Sequence, residues 1–203
     1  MEPFLKKSIY SPYDLAQMCQ VTQEDVFQWL KEGKIASFEV LGGHRRFSRP
    51  MVENFLKKHL EDRSVSWDLI PGHFRVLVVE DEKDLLEIMR DLLKGELGVE
   101  VRTEENGYHA TLLGEGWHPD LIMLDFVIPG MNGFEVCRKI RENPQTRDIP
   151  VLAITSLANK GKREDILAAG VSDCMGKPFL SDILIDKVRS LLGIGGVIAQ
   201  DER

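Results

Sequence analysis

Long apolar runs, paired cysteines and an export signal are all missing from this sequence of 203 residues. No apolar stretch approaches the roughly 18 residues that a membrane span needs. The first residues also lack the basic-then-apolar order of a signal peptide. The three cysteines are odd in number and far apart, which excludes a disulfide framework or a CxxC zinc site: Cys19, Cys137 and Cys174. We therefore expect a cytoplasmic protein without a membrane segment, whose thiols are buried and reduced.

An excess of positive charge is also absent, because 33 Asp and Glu outnumber 26 Lys and Arg and give a net charge of −7. The whole acidic excess falls in residues 71–203, whereas residues 1–70 carry ten residues of each sign. Within residues 31–59, seven basic residues accompany three acidic ones. A small basic unit therefore precedes an acidic one. This pattern argues against a protein that coats nucleic acid along its length. It is compatible with a small basic surface that recognises nucleic acid.

The composition of the sequence changes between Leu60 and Phe74. This stretch is polar, shows no hydrophobic periodicity, and ends in Pro71-Gly72. We predict a linker at residues 61–73. It would separate an N-terminal domain, residues 1–60, from a larger domain, residues 74–193, and a tail would follow at residues 194–203. A content of 43% hydrophobic and 29% charged residues is typical of globular domains.

Residues 74–192 alternate between short apolar runs and segments with helical periodicity. The predicted strands are residues 74–79, 99–102, 121–124, 150–154 and 173–175. The predicted helices begin near Leu85, Asn106, Phe134, Lys160 and Ser181; we expect the first to end at Gly95 and Gly98 and the second at Gly116. Five such units in about 120 residues predict a doubly wound parallel sheet with helices on both faces.

Polar residues follow the predicted strands at the edge where ligands of such sheets bind. They are three carboxylates, two hydroxyls and one lysine: Glu80, Asp81, Asp125, Thr155, Ser156 and Lys177. Clustered carboxylates need a compensating cation, and their hard oxygen atoms suit Mg²⁺. Asp125 follows the most apolar strand and is the candidate nucleophile for an acyl-phosphate. Lys177 and Thr155 could then contact the phosphoryl oxygens.

These residues resemble the motifs of receiver domains in bacterial two-component response regulators. The matching stretches are Val78 to Glu82, Leu124-Asp125, Pro129 to Gly133, Pro150 to Thr155 and Lys177 to Phe179. The resemblance implies a flavodoxin-like (βα)5 fold and phosphorylation of Asp125 by a sensor histidine kinase or phosphotransfer protein. It further implies that Asp81, Asp125 and the carbonyl of Val127 bind Mg²⁺, that Glu80 assists through water, and that the Lys177-Pro178 bond is cis.

Two positions depart from the receiver pattern. Glu80 stands where Asp is commoner. The longer side chain is tolerable at this position because its implied role is to bind the metal through water. Cys174 occupies the switch position three residues before Lys177, where receivers usually carry an aromatic residue, so the usual threonine-to-aromatic coupling is in doubt. An alternative is a haloacid-dehalogenase-like phosphatase, which also uses an aspartate nucleophile. That family needs a second Asp at the position of Val127, and we discount it.

Residues 10–58 have the pattern of three short helices and a hairpin. Ser11-Pro12 and Thr22 are predicted helix starts, and Val26, Trp29 and Leu30 form an apolar stripe on the second helix. Gly42-Gly43 predicts the turn of a two-stranded wing that exposes both Arg45 and Arg46. A small adaptor domain with solvated arginines would fit the same pattern.

The same stretch resembles excisionase-like and MerR-like winged helix-turn-helix domains, chiefly through Trp29 to Ile35 and the Gly42 to Phe47 wing. The resemblance implies a second helix in the major groove and a wing at phosphates or the minor groove of double-stranded DNA. The implied DNA contacts are Gln23, Gln28, Lys31, His44, Arg45 and Arg46. Glu24 and Asp25 depart from that pattern because they repel phosphates, so we expect weak binding per monomer. A homodimer, or else a tandem array of copies, would then be needed for binding.

Taken together, these features predict a response regulator in which phosphorylation of Asp125 controls DNA binding by the N-terminal domain. The receiver would assist its own phosphorylation without being an enzyme. The alternative is an adaptor that docks protein partners and does not bind DNA.

Overall fold

The computed structural model of this protein describes residues 6–59, 72–156 and 160–194. We call residues 6–59 the N-terminal unit and residues 72–194 the C-terminal unit. The predicted linker therefore lies outside the described residues except for Gly72 and His73, and the predicted tail does so except for Ile194. In the described ranges, no helix combines the length and apolarity that crossing a bilayer requires.

A five-stranded sheet forms the centre of the C-terminal unit. Its strands are β4 (Arg75–Val79), β5 (Glu100–Glu104), β6 (Leu121–Leu124), β7 (Val151–Thr155) and β8 (Asp173–Gly176). They lie in the order β5-β4-β6-β7-β8, and all neighbouring pairs are parallel. This is the strand order of flavodoxin-like sheets. The fold class predicted for this unit is therefore confirmed.

Helices cover both faces of this sheet. They are α4 (Lys83–Leu97), α5 (Gly107–Trp117), α6 (Gly133–Glu142), α7 (Lys160–Ala168) and α8 (Ser181–Leu192). Successive residues of a strand face opposite sides. Accordingly, Val76 and Val78 belong to the core under α4 and α8, whereas Leu77 and Val79 belong to the core under α5 and α6.

One of the two glycines at which we expected α4 to end, Gly98, is its C-cap, whereas the other, Gly95, lies inside the helix. Gly116 lies inside α5, which continues to Trp117 and is capped by His118 with φ 49°. A glycine inside a helix costs about 1 kcal/mol relative to alanine. Burial of Leu97 and Trp117 in the following turn stabilises each helix by more than that.

The N-terminal unit contains the predicted helices and hairpin. Its elements are β1 (Ile9–Tyr10), α1 (Pro12–Cys19), α2 (Gln23–Lys31), β2 (Phe38–Glu39), β3 (Arg45–Ser48) and α3 (Arg49–His59). Ser11 and Thr22 form capping boxes with Asp14 and Asp25, which fixes where α1 and α2 begin. The sequence did not reveal β1, which pairs with β3 and is too short to show an alternating pattern.

The two units pack together at the edge where the strands of the large sheet begin. Lys7 Nζ lies 2.6 Å from Asp120 Oδ1, just before β6. His44 Nε2 lies 2.6 Å from Ser172 Oγ, just before β8. The ring of Tyr13 stacks on His118 with centroids 3.7 Å apart. The N-terminal unit therefore sits opposite the edge that carries the predicted ligand-binding residues.

Lys7 is the central charge of this contact. Its side chain is 3% exposed and also forms an ion pair of 2.8 Å with Asp14 of its own unit. Burial alone would lower the pKa of Lys7, but the carboxylates of Asp120 and Asp14 outweigh it and raise that pKa. The ammonium group therefore stays charged between two carboxylates, one from each unit. The sequence offered no motif for this arrangement.

Replacing Lys7 with Met should lower the free energy of unfolding by about 3–5 kcal/mol, because two buried carboxylates would lose their cation. Lys6→Met is the matched control, since Lys6 is exposed. We expect it to change stability by less than about 0.5 kcal/mol. Urea unfolding followed by circular dichroism measures both. Equal losses in the two variants would contradict the central role of the Lys7 ion pairs.

Candidate functional site

Three carboxylates meet at the edge where the parallel strands end. Glu80 and Asp81 follow β4, and Asp125 follows β6, its neighbour in the sheet. One oxygen atom from each group lies within 4.8 Å of the others. Glu80 and Asp125 are buried, whereas Asp81 is exposed. The structure thus brings together the acidic residues that the sequence predicted.

Lys177 joins this cluster from the end of β8. Its ammonium group lies 2.7 Å from Asp125 Oδ2 and also donates a hydrogen bond to Glu80. Its backbone N–H donates to the carbonyl of Thr155, at 3.1 Å, which holds the start of the next loop against β7. The Lys177-Pro178 peptide bond is cis, as the resemblance implied.

The electrostatics of the site reflect burial and charge crowding. Burial raises the pKa of Glu80, and the like charge of Asp125 adds to this, although Lys177 partly offsets both. Burial would lower the pKa of Lys177, but its bonds to Asp125 and Glu80 raise it. Three carboxylates therefore face one ammonium group. Such a set of hard oxygen donors with surplus negative charge fits Mg²⁺.

The remaining predicted site residues lie near Asp125 and differ in their exposure to solvent. The backbone N–H of Val127 donates to Asp125 Oδ1 at 2.8 Å, which orients the carboxylate. Thr155 ends β7 and is fully buried, whereas Ser156 is exposed. The turn between β6 and α6 is tight, because a Cβ on Gly133 would lie 2.5 Å from Phe126. Asp125 is thus held in a fixed place at the sheet edge.

Cys174 lies within β8 and not at the carboxylate cluster. It pairs with Ala153 in β7, and its side chain is buried in the core under α5 and α6. Burial raises the pKa of its thiol, which keeps it uncharged. Its carbonyl instead accepts a hydrogen bond of 2.7 Å from Arg163, on α7. A hydrogen bond from the guanidinium of Arg163 therefore links α7 to β8 at the position where the resemblance led us to expect an aromatic ring.

Three of the predicted DNA contacts are exposed and line one groove of the N-terminal unit. Gln28 and Lys31 project from α2, and Arg45 projects from β3. The groove continues onto the C-terminal unit at Arg147 and Asp148. It is a mixed surface, because Asp148 and Glu24 lie beside its cations.

The other three predicted DNA contacts lie against the C-terminal unit. Gln23 lies 3.4 Å from the carbonyl of Gln145, His44 contacts Ser172, and Arg46 is 3% exposed. The expectation that the wing exposes both arginines is therefore wrong for Arg46. The reason is the alternation of side chains along β3: consecutive residues point to opposite faces, so Arg45 faces solvent while Arg46 faces the C-terminal unit.

The comparison with protein families decides the identity of the C-terminal unit. The profile of the response regulator receiver domain matches residues 76–189, more than half of the chain. The chain belongs to this family. We refer to the C-terminal unit as the receiver from here on.

Curated relatives share this region at moderate identity. Response regulator PleD of Caulobacter vibrioides is 41% identical over 117 residues, which cover 58% of this chain and 26% of PleD. The phosphate regulon transcriptional regulatory protein PhoB of Rhizobium meliloti is 36% identical over 118 residues, which cover 58% of this chain and 52% of PhoB. The match thus spans about a quarter of one relative and about half of the other.

A similar fold occurs in the receiver domain of a sensor histidine kinase from Pseudomonas aeruginosa PAO1. It is 30% identical to this chain, with a TM-score of 0.55 over 59% of this chain and 98% of that one. In that structure a magnesium ion is coordinated in the active site cleft.

Replacing Asp81 with Asn should weaken Mg²⁺ binding by about 10–100-fold, because a charged oxygen ligand is lost from the cluster. Asp84→Asn is the matched control, since Asp84 is an exposed carboxylate on α4 outside the cluster. Isothermal titration calorimetry with MgCl₂ measures the affinities. Equal affinities in the two variants would remove Asp81 from the metal site.

Proposed function

We propose that this protein is a response regulator in which phosphorylation of Asp125 controls DNA binding by the N-terminal unit. The observation that carries the first half is the contact of Lys177 with Asp125, 2.7 Å, within a cluster of three carboxylates. A buried nucleophile, a neighbouring cation and hard oxygen ligands are the groups that phosphoryl transfer requires.

In this proposal a histidine kinase or phosphotransfer protein supplies the phosphoryl group. A carboxylate oxygen of Asp125 attacks phosphorus, the phosphorus–nitrogen bond of phosphohistidine breaks, and its electron pair stays on the imidazole nitrogen. The Val127 N–H holds Asp125 Oδ1, and Lys177 turns from Asp125 Oδ2 to a phosphoryl oxygen. Thr155 contributes its hydroxyl to another phosphoryl oxygen.

Glu80, Asp81, Asp125 and the Val127 carbonyl are the groups that would hold Mg²⁺. When bound, the ion neutralises the repulsion between these carboxylates and the incoming phosphoryl group. The receiver contributes positioning and charge to its own phosphorylation, and we assign it no further catalytic activity. We place the protein in the cytoplasm, where such kinases present their phosphohistidine.

DNA binding is proposed from the sequence resemblance and from the exposed groove. Lys31 and Arg45 can meet phosphates, and the amide of Gln28 can read a base edge. Glu24 and Asp25 at the start of α2 weaken the attraction, so we propose that two copies bind together as a homodimer. Under this proposal the N-terminal unit belongs to a winged helix-turn-helix domain that spans residues 1–60.

An adaptor function is the second candidate. It is favoured by the same acidic start of α2 and by the burial of Gln23 and Arg46 and the half-burial of His44, which removes three of the six implied DNA contacts from full exposure. In that case the groove beside Arg45 would take a protein segment, and DNA would not bind at any salt concentration.

Asp125→Asn should abolish the mass gain of one phosphoryl group after incubation with acetyl phosphate and Mg²⁺, because the amide cannot form an acyl-phosphate. Asp91→Asn, at an exposed position on α4, should be labelled like the parent. Intact-protein mass spectrometry measures both, and hydroxylamine should remove the label. Labelling of the Asp125→Asn variant would move the phosphorylation site elsewhere.

Arg45→Ala should weaken binding to all DNA duplexes alike and reduce the slope of log affinity against log salt by about one, because one phosphate contact is lost. Lys94→Ala removes an exposed cation from α4 of the receiver and should leave the slope unchanged. Fluorescence anisotropy over a salt series gives both slopes. If the Arg45→Ala slope equals that of the parent, the adaptor function becomes the better assignment.

A further inference from the structure

The groove beside Arg45 is not used by the phosphorylation chemistry at the carboxylate cluster. It has a volume of about 880 Å³ and runs between α2, residues 35–37, Arg45 and the receiver residues Arg147 and Asp148. Sites for small molecules in proteins typically have volumes of about 300–1,000 Å³. The groove is therefore large enough for a small-molecule ligand, and the side chains along it indicate which kind.

We propose that this groove binds a guanine nucleotide, with the phosphate beside Lys31 and Arg45 and the base beside Arg147 and Asp148. Such a site depends neither on phosphorylation of Asp125 nor on DNA binding, and it adds a ligand to the proposed function. Lys31 and Arg45 are also proposed DNA contacts, so a bound nucleotide would occupy groups that a duplex also needs.

Charge is left uncompensated along the groove. Lys31 is exposed and forms no ion pair with any residue that the structure describes. Asp148 Oδ2 accepts no hydrogen bond from the described residues, although Arg147 Nε lies 3.7 Å away. The ion pair of Arg45 with Glu39 is exposed, and such pairs are weak. A ligand with an anionic group and N–H donors would complement both Lys31 and Asp148.

The two charged ends of the groove are separated by most of the length of α2. Arg147 Nη2 lies 3.2 Å from Glu24 Oε1, which places the receiver loop at the first turn of the helix. Lys31 is the last residue of α2, seven positions after Glu24, and therefore lies about 10 Å farther along the helix axis. An inorganic phosphate is too small to reach both ends. A nucleoside monophosphate extends over a similar distance from its base edge to its phosphate.

An apolar wall lies between these ends. Phe27 and Leu30 of α2 and the buried Ile35 line the groove. The guanidinium of Arg147 lies 6.0 Å from the ring centre of Phe27. Aromatic rings and guanidinium planes are the surfaces on which proteins stack unpaired bases. The middle of the groove therefore suits a flat heterocycle and the sugar attached to it.

The neighbouring charges of Arg147 and Asp148 favour guanine over adenine. Guanine offers O6 and N7 as acceptors and N1–H and N2–H as donors, whereas adenine has a donor at N6 in place of the O6 acceptor. A guanidinium has five N–H donors, and the contact with Glu24 uses only part of them. Arg147 can therefore donate to O6 and N7 of a guanine base while Asp148 accepts from N1–H and N2–H.

The test is isothermal titration calorimetry of the full chain with guanosine 5′-monophosphate, in EDTA so that no magnesium ion draws the phosphate to the carboxylate cluster. We expect saturable binding of one nucleotide per chain. Lys31→Gln should raise the Kd about three- to tenfold, because the phosphate loses a cation. Lys34→Gln is the matched control and should leave the Kd unchanged, since Lys34 pairs with Glu32 and lies outside the residues that line the groove.

Two further variants test the base end and the groove itself. Asp148→Asn should remove the preference for guanosine over adenosine 5′-monophosphate, because an amide has one neutral acceptor oxygen in place of two charged ones. Ala36→Trp should block binding sterically, since Ala36 is exposed and lines the groove. Circular dichroism confirms that each variant is folded.

Failure of the parent to bind guanosine 5′-monophosphate with a Kd below about 1 mM refutes the nucleotide site. Equal affinity for inorganic phosphate, or unchanged affinity in Ala36→Trp, refutes it as well, and equal affinity for the adenine nucleotide refutes the assignment of guanine. These results leave the proposed function standing, because acetyl phosphate labelling and the DNA anisotropy assay test it separately.

Discussion

The direction of the parallel strands is the constraint on which both surfaces of the receiver depend. All five strands run the same way, so every residue that follows a strand is at one edge and every residue that precedes one is at the other. β6 connects Asp120, at the contact with the N-terminal unit, to Asp125, in the carboxylate cluster. β8 connects Ser172 to Lys177 in the same way. A strand of four or five residues separates the two surfaces by about 13–17 Å.

The buried carboxylates at the two edges of the sheet are neutralised by cations from different units. At the carboxyl edge, the receiver's own Lys177 compensates Glu80 and Asp125. At the amino edge, Asp120 is compensated by Lys7, a residue of the N-terminal unit. A buried carboxylate without a cation is costly. The acidic receiver and the locally basic N-terminal unit therefore stabilise each other through this edge, which the division of charge along the sequence hinted at but could not locate.

The carboxylate cluster was predictable because it follows from strand order and strand ends alone. Glu80 and Asp125 come directly after apolar runs, and Lys177 follows the short last strand of the predicted sheet. A parallel sheet must bring such positions together. The contact between the receiver and the N-terminal unit was not predictable. Its residues Lys7, Asp120 and Ser172 belong to no motif, and they come together only through the packing of the two units. The burial of Arg46 lies between these cases. Strand alternation already separated it from Arg45, but only the packed structure shows which of the two faces the receiver.

The replacement of the usual aromatic residue by Cys174 can be understood from the neighbours of β8. Within the ranges that the structure describes, this strand is at the edge of the sheet and pairs with β7. Asp173 forms ion pairs with Arg163 and Lys187, and Arg163 also donates to the carbonyl of Cys174. These contacts tie β8 to α7 and α8 without a ring. Ser172, Asp173 and Lys177 lie on one short segment, which therefore runs from the contact with His44 to the carboxylate cluster. The ion pairs of Asp173 and the hydrogen bond of Arg163 hold this strand against its neighbouring helices in place of the packing of an aromatic ring.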